Sequence, residues 1–303
     1  MKALVTGVKG QLGYDVVKEM EKRGIEAVGV DIEEMDITDP MAVKKVITEA
    51  NVDAVIHCAA YTAVDAAEDN KEICNKVNVD GTKNIAEVCK ELNIKMMYIS
   101  TDYVFNGQGE TPWDPDCKDY APLNVYGQSK LDGEKVVSSL VEKFFIVRIA
   151  WVFGKNGKNF IKTMLNVAKT HDKLTVVADQ IGTPTYTYDL ARLLVDMIVT
   201  DKYGYYHATN SEVSDENAGC KTGYISWFDF TKEIFRQAVL KGRDEYSEEK
   251  VEVSPVTTAE YGISKATRPF NSRLDKSKLE KNGFTPLPTW QDAINRYLDE
   301  IEF

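Results

Sequence analysis

Tyr126-Gly127-Gln128-Ser129-Lys130 pairs a phenol with an ammonium four residues on, the spacing that sets two side chains one turn apart on one helix face. Such a pair can deliver protons. At about 4 Å and an effective dielectric of about 20 their attraction is about 4 kcal/mol, a ceiling of about three pKa units. Desolvation of the phenolate opposes the shift. The expectation is a Tyr126 phenol drawn from about 10 toward neutrality and able to act as a general acid. Ser100-Thr101-Asp102-Tyr103, shortly upstream, adds hydroxyls to the same stretch.

Spacing alone does not single the pair out. A tyrosine precedes a lysine by four residues at Tyr14, Tyr126, Tyr246 and Tyr261. An ordinary solvated helix pair explains any one of them, so the elements that carry each pair must decide.

Lys2-Ala3-Leu4-Val5-Thr6 reads as a short buried strand, followed at once by Gly7-Val8-Lys9-Gly10-Gln11-Leu12-Gly13 and a helix with Leu12, Val16, Val17 and Met20 on one side. Strand, glycine turn and helix start together suit a pyrophosphate: one glycine for the tight turn, one for close backbone approach, one for helix packing, with the helix N-terminus facing the anion. A second strand, Glu26 to Asp31, ends in an acid placed to accept from an adenosine ribose. Glu33 and Glu34 follow with no arginine, a combination that repels a 2′-phosphate. NADH is therefore expected over NADPH.

The alternation continues with a helix from Pro40 to about Ala50, a strand Asp53 to His57 and the small residues Cys58-Ala59-Ala60. A long helical pattern from Asn70 to Leu92 leads to a strand Lys95 to Ser100, and a fifth strand runs from Phe144 to Ile149. This is the pattern of an α/β fold, a Rossmann-type doubly wound parallel sheet, in which ligands sit beyond the strand C-termini. Gly7, Asp31, Cys58 to Thr62 and Ser100 to Tyr103 share that edge. Tyr126 and Lys130 open the next helix and can reach it; Tyr14, Tyr246 and Tyr261 are placed elsewhere. Asn106 to Asn124 is a loop long enough for a lid or a substrate-facing wall. Trp151, just past the fifth strand, is either a core residue or a platform for a ring.

Beyond about residue 155 the alternation weakens. Helices are expected at 159–169, 187–199, 227–240 and 289–301, with short strands at 174–177, 204–207 and 250–253. The division expected is an NAD(P)-binding Rossmann domain over 1–150, to which about 178–200 returns. The segments 151–177 and 201–303 form mainly a smaller, interleaved C-terminal substrate lobe.

The 303 residues can bury a large core. A net charge of −11, with no basic cluster among aromatics, argues against nucleic acid as a partner. No apolar run reaches a membrane span and no secretory leader is visible. Five cysteines without close pairing and only three histidines argue for a reducing cytoplasm and against a metal site.

Taken together, Gly7-x-x-Gly10-x-x-Gly13, Ser100-Thr101-Asp102-Tyr103-Val104-Phe105 and Tyr126-x-x-x-Lys130 resemble the extended short-chain dehydrogenases. Ala60-Tyr61-Thr62-Ala63-Val64-Asp65, Ala150-Trp151-Val152-Phe153-Gly154, Gln180-x-Gly182-x-Pro184-Thr185 and Arg268-Pro269-x-Asn271-Ser272 narrow the resemblance to the dTDP-4-dehydrorhamnose reductase family, over nearly the whole chain. The resemblance implies hydride transfer from NADH or NADPH to the C4 ketone of a dTDP-linked 6-deoxy sugar.

It also implies roles. Tyr126 would protonate the alkoxide, Lys130 would hold the nicotinamide ribose and tune Tyr126, and Thr101 would polarise the carbonyl. Thr62, Val64, Tyr103 and Trp151 would surround the sugar, with Arg268 toward the diphosphate. Gly7, Gly10, Gln11, Leu12, Gly13, Asp31, Cys58, Ala59 and Ala60 would line the cofactor, and Asp36 with Ile37 would meet the adenine. A homodimer is compatible with this reading. The chain departs from the family in a polar insertion at about 212–223.

Two rival readings share these residues. Sugar-nucleotide dehydratases and epimerases have the same fold and Tyr-Lys pair, but dehydratases usually follow Thr-Asp with a glutamate, where this chain has Tyr103. A non-catalytic NAD(P)-binding regulatory subunit would tend to lose Tyr126 or Lys130, and both are present.

Overall fold

The computed structural model describes residues 1–303. Five parallel strands, β1 (Lys2–Thr6), β2 (Glu26–Val30), β3 (Ala54–His57), β4 (Lys95–Thr101) and β5 (Phe144–Ile149), are joined at one edge by the strand Gly204–His207. The order across the sheet is 204–207, β5, β4, β3, β1, β2. The chain builds β1 and β2 outward, then returns past β1 to lay down β3. The switch point between β1 and β3 is where ligands bind in such sheets.

The core strands are buried on both faces, which is why they read as unbroken apolar runs. One face packs on the helices Gln11–Lys22 and Thr187–Ile198, with Val16, Met20, Leu190 and Leu194 fully buried. The other face is covered by Pro40–Ala50, Thr82–Leu92 and Val125–Leu140. Truncating such a residue to alanine costs about 2–5 kcal/mol. Asp39 caps Pro40–Ala50 by accepting from Met41 N and Ala42 N.

Four details differ from the sequence expectation. The helical stretch after Asn70 is not regular: Lys71–Asn75 and Thr82–Leu92 flank a π-helical turn, Lys76–Gly81. The strand expected at 250–253 lies at Glu252–Val256, paired in parallel with Lys173–Val177. Pro255 hid its register, because proline is tolerated in a sheet only at an edge. The strand Gly204–His207, placed by sequence in the second lobe, extends the central sheet. Leu279, Phe284 and Leu287 also pack into the core under that sheet. Chain order does not separate the two lobes, because Gly204–His207 and the Leu279 to Leu287 stretch return to the central sheet after the second lobe has begun.

The remaining lobe has its own core, built from the helices Phe160–Ala168, Trp227–Leu240 and Trp290–Glu300. Ser226 and Asp229 form a reciprocal capping box at the start of Trp227–Leu240. The insertion is pinned at its ends by an antiparallel bridge, Val213 to Gly223. No helix is long and apolar enough to cross a membrane.

Candidate active site

The glycine turn after β1 is set by close contacts. Gly7 has φ +70°, and a Cβ there would come within 2.9 Å of the Ala59 backbone; a Cβ on Gly13 would strike the Gly7 carbonyl. Gly10 N–H donates to Gly7 O at 3.0 Å. Two side chains of the second lobe hold the turn from above: Asn156 Nδ2 donates to Lys9 O (2.7 Å), and Asn159 Nδ2 donates to Gln11 Oε1 (3.2 Å). A tight turn without side-chain bulk, at the N-terminus of the helix Gln11–Lys22, is a cradle that fits a dinucleotide pyrophosphate.

Asp31, at the end of β2, is oriented by the backbone. Its carboxylate accepts from Lys9 N (3.0 Å) and Ile32 N (2.9 Å). Lys9 Nζ meets Glu33 at 2.5 Å, an exposed pair of small energetic weight. The Asp36 carboxylate is occupied by Thr38, which donates from both its N–H (2.9 Å) and its hydroxyl (2.8 Å), and these bonds hold the carboxyl below its ordinary pKa. Ile37 is buried against Gly81.

Behind the ends of β1 and β3 runs a hydrogen-bond chain that sequence reading missed. Thr6 Oγ1 accepts from Cys58 N (3.1 Å) and Ala59 N (3.0 Å), which leaves its hydrogen for His57 Nδ1, 2.8 Å away. His57 Nε2 then donates to Thr82 Oγ1 (3.2 Å), and Thr82 donates to Asn78 O (2.7 Å). Every donor is used once, so His57 is the neutral Nε2–H tautomer. Burial, then the Lys130 charge, push its pKa down to about 3.

Asn78 stands on the π-helical turn. Its Oδ1 accepts from Tyr61 N (2.8 Å), and its Nδ2 donates to Tyr61 O (3.1 Å) and Ser129 Oγ (2.9 Å). A buried asparagine on an apolar helix face was the signal that could have flagged it. It ties the loop carrying Cys58 to Thr62 to the helix carrying Tyr126 and Lys130.

That helix, Val125–Leu140, is capped by Asn124, whose Oδ1 accepts from Gly127 N (2.8 Å) and whose Nδ2 donates to Thr267 O (2.8 Å). A Cβ on Gly127 would strike the Tyr103 carbonyl, so glycine lets the helix abut the turn after β4. The Tyr126 phenol thereby meets the Thr101 hydroxyl, and Lys130 lies buried one turn further along the same helix. Tyr126 is partly exposed there, edge-on to Tyr103 at 5.7 Å between ring centroids. The other pairs fall away from it: Lys18 lies over the Tyr14 ring on the outer helix, Tyr246 is buried in the lobe core, and Lys265 pairs with Asp69.

The electrostatics correct the expected phenol shift. Tyr126 is pushed above its ordinary pKa by burial and by the neighbouring Asp102, with the Thr101 hydroxyl opposing. Lys130 is buried and brought down to about 7 by desolvation. Its ammonium lies 4.0 Å from the centroid of the Tyr98 ring, and no hydrogen bond joins it to Tyr126. Desolvation therefore outweighs the attraction that spacing promised. The phenol stays protonated, as a proton donor must.

On the far wall, Arg268 donates to Tyr103 Oη (3.1 Å) and to Asp65 Oδ2 (2.6 Å), while Asp65 Oδ1 accepts from Lys265 N and Ala266 N. Trp151 has φ +50°, a left-handed conformation that costs a bulky residue about 1–2 kcal/mol. Its indole stacks on Trp227 at 3.9 Å, a residue the sequence did not mark. Thr62 is exposed and Val64 half-buried at the entrance of the helix Val64–Ala67. The 106–124 loop is fastened down: Trp113 stacks on Phe105 at 4.5 Å, and Asn271 Nδ2 donates to Thr111 O (2.9 Å). It is a wall. Arg148 and Glu134, both fully buried, form a two-pronged ion pair (2.8 and 2.7 Å) beneath it, with Tyr120 Oη 2.9 Å from the guanidinium.

Comparison with known proteins gives a consistent result. The family model described as RmlD substrate binding domain matches residues 1–303. The chain is 38% identical to dTDP-4-dehydrorhamnose reductase of Aggregatibacter actinomycetemcomitans, with 97% of each chain covered. It is 34% identical to spore coat polysaccharide biosynthesis protein SpsK of Bacillus subtilis, covering 99% of this chain and 97% of that one. The crystal structure of Bacillus anthracis dTDP-4-dehydrorhamnose reductase in complex with NADP superposes with a TM-score of 0.89 at 39% identity, covering 99% of this chain and 100% of that one.

Proposed function

The chain belongs to the dTDP-4-dehydrorhamnose reductase family, and from that membership we propose how its residues reduce the C4 ketone of a dTDP-4-dehydro-6-deoxy sugar in dTDP-L-rhamnose biosynthesis. The enzyme is an NAD(P)H-dependent oxidoreductase. The nicotinamide supplies the hydride.

What supports the residue roles is the meeting of the Tyr126 phenol with the Thr101 hydroxyl at the end of β4, with Lys130 one turn along the same helix. Tyr126, kept protonated by burial, gives its proton to the oxygen as the ketone becomes an alkoxide. Thr101 polarises that oxygen. Lys130 holds the nicotinamide ribose. Gly7, Gly10, Gln11, Leu12 and Gly13 cradle the pyrophosphate, Asp31 takes the adenosine ribose, Asp36 and Ile37 border the adenine, and Cys58, Ala59 and Ala60 let the cofactor pass close to β3. Thr62, Val64, Tyr103 and Trp151 enclose the sugar, with Arg268 toward the diphosphate. NADH is the favoured cofactor, because Asp31, Glu33 and Glu34 oppose a 2′-phosphate. The site of action is the cytoplasm.

Tyr103 supports reduction over dehydration: where an eliminating enzyme needs a carboxylate, this chain has a phenol tied to Arg268. The deciding assay follows NADH oxidation against a panel of nucleotide-linked 4-keto sugars. Stoichiometric oxidation with the dTDP-4-dehydro-6-deoxy sugar is expected, and loss of that sugar without NADH consumption would sink the proposal.

A further inference from the structure

Thr101 has one hydroxyl hydrogen, and the structure spends it on Asp102. Thr101 Oγ1 donates to Asp102 Oδ1 at 3.0 Å and accepts from Tyr103 N–H at 3.3 Å. A hydroxyl offers one donor and two acceptor positions. While its hydrogen points at Asp102, Thr101 has nothing to donate to a ketone. Polarisation requires that hydrogen to be released.

Asp102 is itself anomalous. It is 2% exposed, and its Oδ2 has no hydrogen-bond partner. A buried ionised carboxylate with one bare oxygen is expensive, and the group relieves that cost by taking up a proton. Tyr126 faces it from the helix Val125–Leu140, Tyr103 stands beside it on the same turn, and the Ser272 hydroxyl approaches from the Arg268–Ser272 segment. Arg268 stands beyond Tyr103, bonded to its phenol and to Asp65, and no cation pairs with Asp102. Burial lifts the carboxyl to about 6, against the opposing Ser272 and Thr101 hydroxyls.

We propose that Asp102 is a positioning residue for the reduction: carrying a proton on Oδ1, with the bare Oδ2 left as an uncharged carbonyl oxygen, it donates to Thr101 Oγ1 and turns the Thr101 hydrogen toward the substrate oxygen. Thr101 then accepts from Tyr103 N–H and Asp102, filling both lone pairs, and gives its only hydrogen to the ketone. The hydride goes from the cofactor to C4, the proton goes from Tyr126 to the oxygen, and Asp102 keeps its own proton throughout. This rests on the reading that Thr101 polarises the ketone.

The consequence is an alkaline limb in kcat. The competent form exists below the Asp102 pKa and is lost as pH rises through it. Wild-type kcat with saturating dTDP-4-keto sugar and NADH is expected to fall by about tenfold per pH unit beyond that pKa, between about pH 5 and about pH 8. Asp102→Asn is neutral throughout and its amide N–H can make the same donation, so its profile is expected to lose that limb and keep only the later fall as Lys130 gives up its charge. Thr101→Val, which removes the relay, is expected to be slow and to lack the Asp102 limb, falling only as Lys130 gives up its charge, and NADH binding followed by fluorescence confirms that each variant is folded. An alkaline limb with the same midpoint in either variant, or a level wild-type profile, overturns the assignment. A wild type that fails to oxidise NADH with the keto sugar at any pH would instead overturn the functional reading on which this rests.

Discussion

Lys130 lies with its ammonium 4.0 Å from the centre of the Tyr98 ring, and the Tyr98 hydroxyl donates to the Lys130 carbonyl at 3.3 Å. Gly133 makes this possible, since a Cβ there would strike the phenol oxygen of Tyr98. The ring face is a weak substitute for water. Desolvation lowers the Lys130 pKa to about 7 from 10.5.

Lys130→Met should therefore stabilise the protein while abolishing turnover. A lysine whose folded pKa lies below its unfolded value costs stability fully below the folded pKa, and the cost fades as pH rises toward the unfolded one. The variant should gain on the order of 0.5–2 kcal/mol at pH 7, with the advantage shrinking by about pH 10. Paired urea titrations at the two pH values measure this.

Tyr126→Phe removes the proton donor and leaves the ring that meets Tyr103. NADH binding should be unchanged, with kcat lowered roughly a hundred- to ten-thousandfold. Fluorescence titration and steady-state rates separate the two effects, and equal turnover in both proteins would rule Tyr126 out as the donor.

Asp31→Ala deletes the acceptor that Lys9 N and Ile32 N hold in place. The KM for NADH should rise about tenfold, the loss expected of one hydrogen bond to a charged group, and the preference over NADPH should narrow. Specificity constants for the two cofactors are the measurement.

Glu134→Gln leaves the Arg148 guanidinium buried with its charge unmatched. Stability should fall by about 3–5 kcal/mol, seen as a lower urea midpoint. Arg148 is also bonded to Tyr120, so the variant's 106–124 loop should be cleaved sooner in limited proteolysis.

Much of this was legible from residue order. Buried parallel strands are continuous apolar runs, so β1 to β5 stood out, and the glycine turn after β1 fixed the edge where chemistry could occur. That edge chose Tyr126 and Lys130 from four equal spacings. Side-chain direction was not legible: i,i+4 spacing says that Lys130 can face Tyr126, while its placement over Tyr98 depends on a strand some thirty residues upstream in sequence. The Thr6-His57-Thr82 chain escaped notice because isolated polar residues in apolar elements leave no periodic trace. Trp227 meets Trp151 from 76 residues away in the chain, and the strand Gly204–His207 pairs with β5 across more than fifty residues, so neither contact leaves a local trace.

The π-helical turn at Lys76–Gly81 carries a lesson about chain length. Such a turn accommodates one residue more than an α-helix needs, and it does so locally. Shortening that turn by a single residue would let Lys71 to Leu92 close into a regular α-helix with both ends in place, yet Asn78 would swing by about 100° around the axis. The grip on Tyr61 and Ser129 would be gone. Foldability and catalytic alignment are thus written in different residues here, and a one-codon deletion is the mutation that would separate them.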